Sequence, residues 1–258
     1  MGHGMNNPFA GRDARYGSCR PTYPDALIRH LASLAPGRER AWDCGTGPGT
    51  AAAPLAAEFE EVIATDASEG MLAAARGHPR VRFLAAPAED SGLPPGSVDL
   101  VTAAASVHWF DLDAFYREVR RVARPGGILA VFSYFLPRLG EPMDRLVRRL
   151  ADGVLRAYWD ERVSLVRAGY RSLPCPFAEI RCPAFACRMH WGLGQLLAYF
   201  DSWSASRRFR EQTGAPASAA IAEELGRAWS GPGGRREVLF PIHARVGRVH
   251  GLGAASGG

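Results

Sequence analysis

Residues 41–50 read AWDCGTGPGT, and this stretch decides the fold. A short apolar run ends in an acid, Asp43, and Gly45, Gly47 and Gly49 then follow. Glycine costs backbone entropy in regular elements. This density of glycines therefore predicts a turn with positive φ or a close approach of the backbone to a ligand. The residues RAWDC predict a short strand that runs into the turn.

Strand and helix signals alternate around this turn from residue 24 to residue 135. After RAWDC, the predicted strands are EVIATD (61–66), VRFLAA (81–86), SVDLVTAAAS (97–106) and RPGGILAVFSY (124–134). The predicted helices are PDALIRHLASL (24–34), TAAAPLAAEF (50–59), SEGMLAAARG (68–77) and DLDAFYREVRRVA (111–123), the last capped by Asp111. The later strands are apolar on both faces, as parallel strands are. Five β-α repeats with short loops predict an α/β fold with a doubly wound, Rossmann-like sheet.

The pattern changes after residue 136. Helices are predicted at 141–157, 193–203 and 216–229, and strands at 177–182 and 237–246. No linker of serine and glycine separates the two halves, so we expect one domain over residues 1–258. Its parts would be a cofactor-binding core (15–135), an acceptor-pocket and lid region with the last strands (136–250), and a mobile tail (251–258). The full sheet would have seven strands, mostly parallel, with a helical lid insert.

The composition indicates a soluble globular protein, with 258 residues, 47% hydrophobic and 22% charged. No apolar run reaches the roughly 18–20 residues of a membrane span, and the opening residues lack the order of a signal peptide. We therefore expect a cytoplasmic protein with no membrane partner. The formal charge is +5, and all 31 basic residues are arginines. They are scattered rather than arranged in a stripe, so no nucleic-acid partner is expected.

The five cysteines are odd in number. Cys175, Cys182 and Cys187 lie close in sequence, but their spacing matches no paired CxxC pattern of a zinc site. Buried free thiols are the preferred interpretation, and no metal is expected.

Two cofactor classes use a strand, a glycine-rich turn, and an acid at the end of the next strand. Asp66 suits either class, because it would accept hydrogen bonds from ribose hydroxyls in both. The sequence of the turn, in contrast, distinguishes between the two classes. Thr50 stands where dinucleotide-binding turns have a third glycine, and Pro48 removes a backbone donor for pyrophosphate. A carboxylate at Asp43 would repel pyrophosphate but suit the ammonium of an amino acid.

The neighbouring segments carry a family resemblance. DCGTGPGT, TDASEGML, APAEDSGLP, DLVTAAASVHWFD and RVARPGGIL together resemble class I S-adenosylmethionine-dependent methyltransferases over about residues 15–135. YGSCRPTYP, HWFD, YFDSWSASRRF and FPIHARVGR are similar to the branch of type 11 methyltransferase domains that contains trans-aconitate methyltransferases. The resemblance implies S-adenosyl-L-methionine as the cofactor.

The resemblance also implies a role for each residue of the turn. Gly45, Thr46 and Gly47 would wrap the methionine moiety, and Asp43 would face its amino group. Asp66 would hold the ribose hydroxyls. A simpler interpretation of Asp43 as a turn acid without a ligand stays open.

The remaining implied cofactor residues are Ala67 behind the ribose, Met71 against adenine, Pro87, Ala88 and Glu89 in the adenine-edge loop, Ala105 at the end of the fourth strand, and Tyr16 and Arg20 in a segment that folds over the cofactor. Pro87 departs from the family pattern, which has Asp or Asn there. A side-chain acceptor for the adenine amino group is then missing unless Glu89 replaces it. Arg20 would bind the methionine carboxylate in a fork, or be a solvated charge, and Met71 could be core.

His108 is the candidate catalytic residue, because it follows the fourth strand at the carboxyl edge of the sheet. It would serve as a base, a hydrogen-bond donor or an orienting residue, or simply pack beside Trp109. His190 and His243 are less well placed. A carboxylate acceptor would need no base.

The second half should supply the acceptor pocket. Its aromatic residues Trp191, Tyr199, Phe200 and Trp203 suit a flat or apolar acceptor, although aromatic residues at helical spacing are more often core. Arg207 and Arg208 would draw in an anionic acceptor or face solvent.

The function expected from the sequence is transfer of a methyl group to a small-molecule acceptor by a monomer or homodimer. The acceptor atom stays open among oxygen, sulfur, nitrogen and carbon. The alternatives are an S-adenosylmethionine-binding protein without methyl transfer and, more remotely, a nicotinamide dehydrogenase.

Overall fold

A computed structural model describes residues 20–230 and 232–249. The strands are β1 (Arg40–Cys44), β2 (Glu61–Asp66), β3 (Val81–Ala85), β4 (Val98–Ala104), β5 (Ala123–Tyr134), β6 (Ala178–Ile180), β7 (Phe185–Gly192) and β8 (Arg235–Arg248). The α-helices are α1 (Asp25–Leu34), α2 (Ala52–Leu55), α3 (Glu69–Ala73), α4 (Leu112–Val122), α5 (Met143–Arg148), α6 (Val163–Arg167), α7 (Leu193–Asp201), α8 (Ser204–Thr213) and α9 (Ala219–Ala228). Tyr16 and the expected tail lie outside the described residues.

The strands form one sheet in the order β3-β2-β1-β4-β5-β8-β6, and β7 also pairs with β8. Strands β1 to β5 are parallel to their neighbours, and β8 runs antiparallel to β5. The predicted doubly wound α/β sheet is confirmed. It has eight strands in the described part rather than seven, because the long β8 pairs with β7 through its first half and with β6 through its last residues.

Three predicted helices are markedly shorter in the structure, and the one predicted at 68–77 is reduced to α3 (Glu69–Ala73). The helix predicted at 50–59 is reduced to α2, with turns on either side, and Pro54 within it has no N–H to donate. The long helix predicted at 141–157 is broken into α5, a π-helical turn (Arg149–Val154) and a 3₁₀ turn (Arg156–Tyr158). Gly153 lies at this break and has a low helix propensity.

The core lies on both faces of the sheet. Ala41, Leu100 and Ile128 pack on one face, and the next residues of the same strands, Trp42 and Val101 among them, pack on the other. This alternation is the period of a strand buried on both sides.

The four aromatic residues of the second half singled out from the sequence, Trp191, Tyr199, Phe200 and Trp203, are at most 5% exposed. They belong to this core, so the simpler interpretation of them is correct. No helix in the described ranges is long and apolar enough to cross a membrane.

Asp99 joins the starts of three strands at the amino edge of the sheet. Its buried carboxylate accepts hydrogen bonds from the backbone N–H groups of Glu39 and Arg40, at 3.1 and 3.0 Å. It also accepts one from Nη1 of Arg124 at 3.0 Å. The amino ends of β1, β4 and β5 are thereby fixed to one another. This also fixes the positions of the side chains at their carboxyl ends.

Replacing Asp99 should therefore destabilise the whole sheet. We expect Asp99→Ala to lower the free energy of unfolding by about 3 kcal/mol, because two backbone N–H groups lose their acceptor and Arg124 loses one of its two carboxylate partners. The measurement is urea unfolding followed by circular dichroism. Asp113→Ala, which removes an exposed carboxylate in the first turn of α4, is the control and should cost about 0.5 kcal/mol or less. Equal losses in the two variants would contradict this role of Asp99.

Candidate cofactor site

The glycine turn has the backbone conformation that the sequence predicts. Gly45, Gly47 and Gly49 have φ of +64°, +56° and +84°. A Cβ atom at Gly45 would lie 2.6 Å from Cβ of Ser106, closer than such atoms approach in proteins. The turn is tied to β2 by the N–H of Thr46, which donates to the carbonyl of Thr65 at 2.9 Å. Only glycine fits at position 45, for both backbone and steric reasons.

Asp43 is fully buried at the end of β1. Its two carboxylate oxygens accept hydrogen bonds from the hydroxyls of Thr46 at 2.6 Å and Thr102 at 2.7 Å. Burial raises the pKa of Asp43 to about 6, against the lowering effect of these two hydroxyls. The sequence interpretation had this carboxylate facing the ligand. In the structure Asp43 has no exposed surface and Thr46, which donates to it, is 7% exposed, so the expected contact of Asp43 with a ligand ammonium stays a prediction.

Asp66 lies at the end of β2, beside the turn. It accepts hydrogen bonds from the N–H groups of Gly47 and Ser68, both at 2.8 Å and each on a different oxygen. An ionised carboxylate has about four acceptor positions, so two remain. The side chain is partly exposed, and Ala67 after it is exposed. The remaining positions suit a pair of neighbouring hydroxyls such as those of a ribose.

The loop expected at the adenine edge begins beside this acid, since the N–H of Ala86 donates to the carbonyl of Asp66 at 3.1 Å. Met71 is 4% exposed on α3, and a Cβ on Gly47 would come within 3.0 Å of its methyl carbon. Ala88 is 6% exposed and Pro87 is exposed. Glu89 accepts a hydrogen bond from the N–H of Asp111 at 2.8 Å. One of its oxygens is thus already used to hold the start of α4.

Strand β4 ends in a strained residue. Ala105 has φ of +54°, which is rare outside glycine, and its N–H donates to the carbonyl of Phe132 at 2.8 Å. The next residue, Ser106, donates from Oγ to the carbonyl of Cys44 at 2.9 Å. This connection holds the end of β4 against the glycine turn.

His108 follows on a 3₁₀ turn (Val107–Trp109) and is 9% exposed. Its Nδ1 lies 3.4 Å from the hydroxyl of Tyr170, and its ring centroid lies 4.8 Å from that of Trp109. His108 therefore packs beside Trp109 and also faces a polar group. Tyr170 is fully buried, has φ of +57°, and burial raises the pKa of its phenol.

Arg20 lies elsewhere in the described contacts. Its guanidinium lies 5.4 Å from the ring centroid of Tyr199 and donates to the carbonyl of Ser202 at 3.2 Å. These contacts are with α7 and the residue after it, not with the glycine turn. Its expected contact with a methionine carboxylate stays a prediction.

Sequence reasoning missed three residues of the site, Thr102, Ser106 and Tyr170. Thr102 had a usable signal, because it lies opposite Asp43 in the parallel register of β4 and β1. Ser106 and Tyr170 had none, since their contacts depend on how the chain turns after β4 and after α6.

The other two histidines considered from the sequence lie on late strands. His190 lies in β7, which the sequence did not predict, and His243 lies in β8, within the strand predicted at 237–246. Within residues 20–230 and 232–249, no group of three or more His, Cys, Asp or Glu side chains is arranged to hold a metal ion.

A doubly wound sheet, a glycine turn after β1 and an acid at the end of β2 are typical of the α/β enzymes that bind nucleoside cofactors. Residues 42–131 match the family described as methyltransferase domain. A protein of Anaeromyxobacter dehalogenans assigned as a type II methyltransferase is 46% identical, with a TM-score of 0.84, over 90% of this chain and 99% of that one.

Two further relatives align over different shares of the chain. A protein of Dictyostelium discoideum assigned as a methyltransferase is 28% identical over 246 residues, which is 93% of this chain and 94% of the relative. Trans-aconitate 2-methyltransferase of Methylobacterium radiotolerans is 34% identical over 149 residues, 56% of each chain. The chain belongs to the class I S-adenosylmethionine-dependent methyltransferases. It is an enzyme with S-adenosyl-L-methionine as its cofactor.

Gly45 gives a test of the turn geometry. We expect Gly45→Ala to lower the free energy of unfolding by about 2–4 kcal/mol, since it adds a clash with Ser106 to the cost of positive φ. Gly96→Ala is the matched control, because Gly96 has φ of +60° with nothing within 4 Å. It should lose only about 1 kcal/mol. Urea unfolding measures both, and equal losses would count against the clash.

Asp43 gives a test by pH. Its folded-state pKa of about 6 lies above its ordinary 3.8, so the folded chain binds this proton more tightly than the unfolded chain. Its contribution to stability is therefore present at low pH and falls as pH rises from about 4 to about 6. We expect Asp43→Asn to remove this decline, measured by urea unfolding across that range. Asp90→Asn, at an exposed position, should keep it, and an unchanged decline in Asp43→Asn would refute the assignment.

Proposed function

We propose that this methyltransferase transfers the methyl group of S-adenosylmethionine to a small-molecule acceptor, and that the glycine turn and Asp66 hold the donor. The observation that carries the proposal is Asp66. It is fixed by two backbone N–H groups at 2.8 Å and keeps acceptor positions for a ribose diol beside a turn that only glycine can form. Residues 15–135 would be the cofactor core and 136–250 the acceptor half.

The other donor contacts follow from burial and charge. Thr46, with the buried Asp43 carboxylate behind it, supplies negative potential for the methionine ammonium. Met71 and Ala88, both nearly buried, supply an apolar surface for adenine. Gly45 and Gly47 let the backbone approach the methionine chain, because neither carries a Cβ.

When bound, S-adenosylmethionine supplies an electrophilic methyl group on a sulfonium. The protein orients the acceptor and excludes water. For a hydroxyl or thiol acceptor we propose His108 as the proton acceptor. When Nδ1–H donates to the oxygen of Tyr170, Nε2 carries the lone pair that takes up the proton. A carboxylate acceptor would need only the positioning.

A small acceptor is supported by the resemblance to trans-aconitate 2-methyltransferase and by the charge distribution. Many of the arginines pair with carboxylates, as Arg149 does with Glu224 at 2.6 Å, rather than forming one basic stripe. We therefore propose no nucleic-acid partner and a cytoplasmic enzyme, either monomeric or homodimeric. A protein that binds the cofactor without transfer is the less supported alternative, since the site keeps the turn and the ribose acid intact.

Asp66→Ala should weaken binding of the product S-adenosylhomocysteine by about 1–3 kcal/mol, because ribose hydroxyls would lose their acceptor. Isothermal titration calorimetry measures this directly. Glu69→Ala, which removes an exposed carboxylate at the start of α3, should leave the affinity unchanged. Unaltered affinity in Asp66→Ala would remove the ribose assignment.

Methyl transfer itself is tested with a methyl-labelled donor and panels of carboxylates, phenols, thiols and amines. We expect label in one acceptor class, together with acceptor-dependent formation of S-adenosylhomocysteine, both detected by mass spectrometry. Tight donor binding without acceptor-dependent product in any class would favour the alternative without transfer.

A further inference from the structure

A pocket of about 260 Å³ opens beyond the carboxyl end of β5. Its lining includes Phe135, Arg138, Asp144, Arg148, Arg167 and His243. Ligands of parallel α/β sheets bind outside the carboxyl ends of the strands, so the pocket lies on the edge of the sheet where an acceptor would approach. We call it the arginine pocket.

The arginine pocket is connected to His108 through one short segment. The hydroxyl of Tyr170 lies 3.4 Å from Nδ1 of His108. The preceding residue, Gly169, packs so closely on His243 that a Cβ there would come within 2.8 Å of its ring. His243 lines the pocket. The candidate catalytic residue and the pocket are therefore joined by two consecutive residues of the chain.

Positive charge in this region exceeds what its carboxylates compensate. Arg148 pairs with Glu141 at 2.6 Å, and Arg167 pairs with Asp152. Arg138 and Arg171 form no ion pair with a carboxylate in the part of the chain that the structure describes.

Both of these arginines are close to His243. Burial lowers the pKa of His243, and the charges of Arg171 and Arg138 lower it further. Asp144 is the acid in the pocket lining, and it accepts a hydrogen bond from the N–H of Leu139 at 2.7 Å. Like charges held together repel one another, and an oxyanion between them removes that repulsion.

The pocket also has an apolar wall. Phe135 lies under the guanidinium of Arg167 at 5.5 Å and stacks on Trp203 with ring centroids 5.8 Å apart. The hydroxyl of Tyr199 donates to the carbonyl of Phe135 at 2.8 Å, which fixes the backbone here. Pockets for drug-sized ligands are about 300–1,000 Å³, so this one suits a smaller metabolite.

A larger pocket, of about 570 Å³, lies along α4 and shows the contrast. Its charged residues are two acids and two arginines, Asp111, Asp113, Arg117 and Arg120. These charges balance, whereas the lining of the arginine pocket has three arginines and one acid.

We infer that the arginine pocket binds the acceptor through an oxyanion, a carboxylate or a phosphate group. Arg138 is its principal contact, and Phe135 lies against the carbon skeleton. The inference rests on the proposed function, since it names the substrate class of the same enzyme.

The test uses the full chain saturated with S-adenosylhomocysteine and three probes: succinate, its neutral analogue succinamide, and inorganic phosphate. Calorimetry at one near-neutral pH should show that succinate or phosphate binds and that succinamide binds at least about tenfold more weakly, because it lacks the charge. The stronger of the two anions identifies the oxyanion. Binding of neither anion, or binding of both anions no tighter than that of succinamide, would overturn the inference.

Variants of single arginines test whether the anion binds in the arginine pocket. Arg138→Gln should weaken binding of the anion by about tenfold or more, and Arg138→Lys should retain part of it. Arg227→Gln is the matched control, because it removes one exposed arginine, paired with Glu223 on α9, outside the pocket. Arg171→Gln gives a second variant in case Arg138→Gln fails to fold, which thermal melting would show. Losses in the pocket variants no larger than in Arg227→Gln would overturn the inference.

The outcome for S-adenosylhomocysteine separates the two proposals. Unchanged affinity for it in Arg138→Gln, with loss of anion binding, supports both. Anion binding that depends on Arg138 in a protein that fails to bind S-adenosylhomocysteine would keep the anion site and remove the proposed function. Normal binding of S-adenosylhomocysteine without any anion binding would remove the anion site alone.

Discussion

The carboxylate of Asp43 accepts hydrogen bonds from two hydroxyls on different elements, Thr46 in the glycine turn and Thr102 on β4. A buried, unpaired carboxylate would cost several kcal/mol, and these two hydroxyls offset part of that cost. The part of the cost that they do not offset appears as the raised pKa of Asp43. Because each hydroxyl must stay in place, the turn and β4 are held at fixed positions around β1. The rest of the site is built on this connection.

The first half of the fold could be predicted because its signals are local. Strands such as EVIATD, observed as Glu61–Asp66, are apolar runs bounded by turns, and both faces of the sheet are covered. The glycine turn could be predicted for the same reason, since the positive φ of Gly45 and Gly47 is a property of single residues. Asp66 followed from its place at a strand end. These inferences needed no knowledge of distant contacts.

The second half depended on such contacts and was predicted less well. The helix Ser204–Thr213 was missed because its sequence, SASRRFREQT, is mostly polar, and β7 was missed because it has no clear alternation. The direction of Arg20 was also out of reach, because its partners Tyr199 and Ser202 lie far along the chain.

Strained backbone occurs in both halves of the chain, close to His108 in each case. Among the described residues other than glycine, positive φ occurs at Ala105 and Tyr170. Such conformations cost roughly 1–3 kcal/mol each and persist where the surrounding structure over-determines them. Ala105 ends β4 three residues before His108, and Tyr170 approaches His108 from the second half. The strain is therefore concentrated on the two chain segments that meet at this histidine. The tight contacts around these two residues, rather than the residues' own preferences, therefore hold the backbone on both sides of the His108 ring.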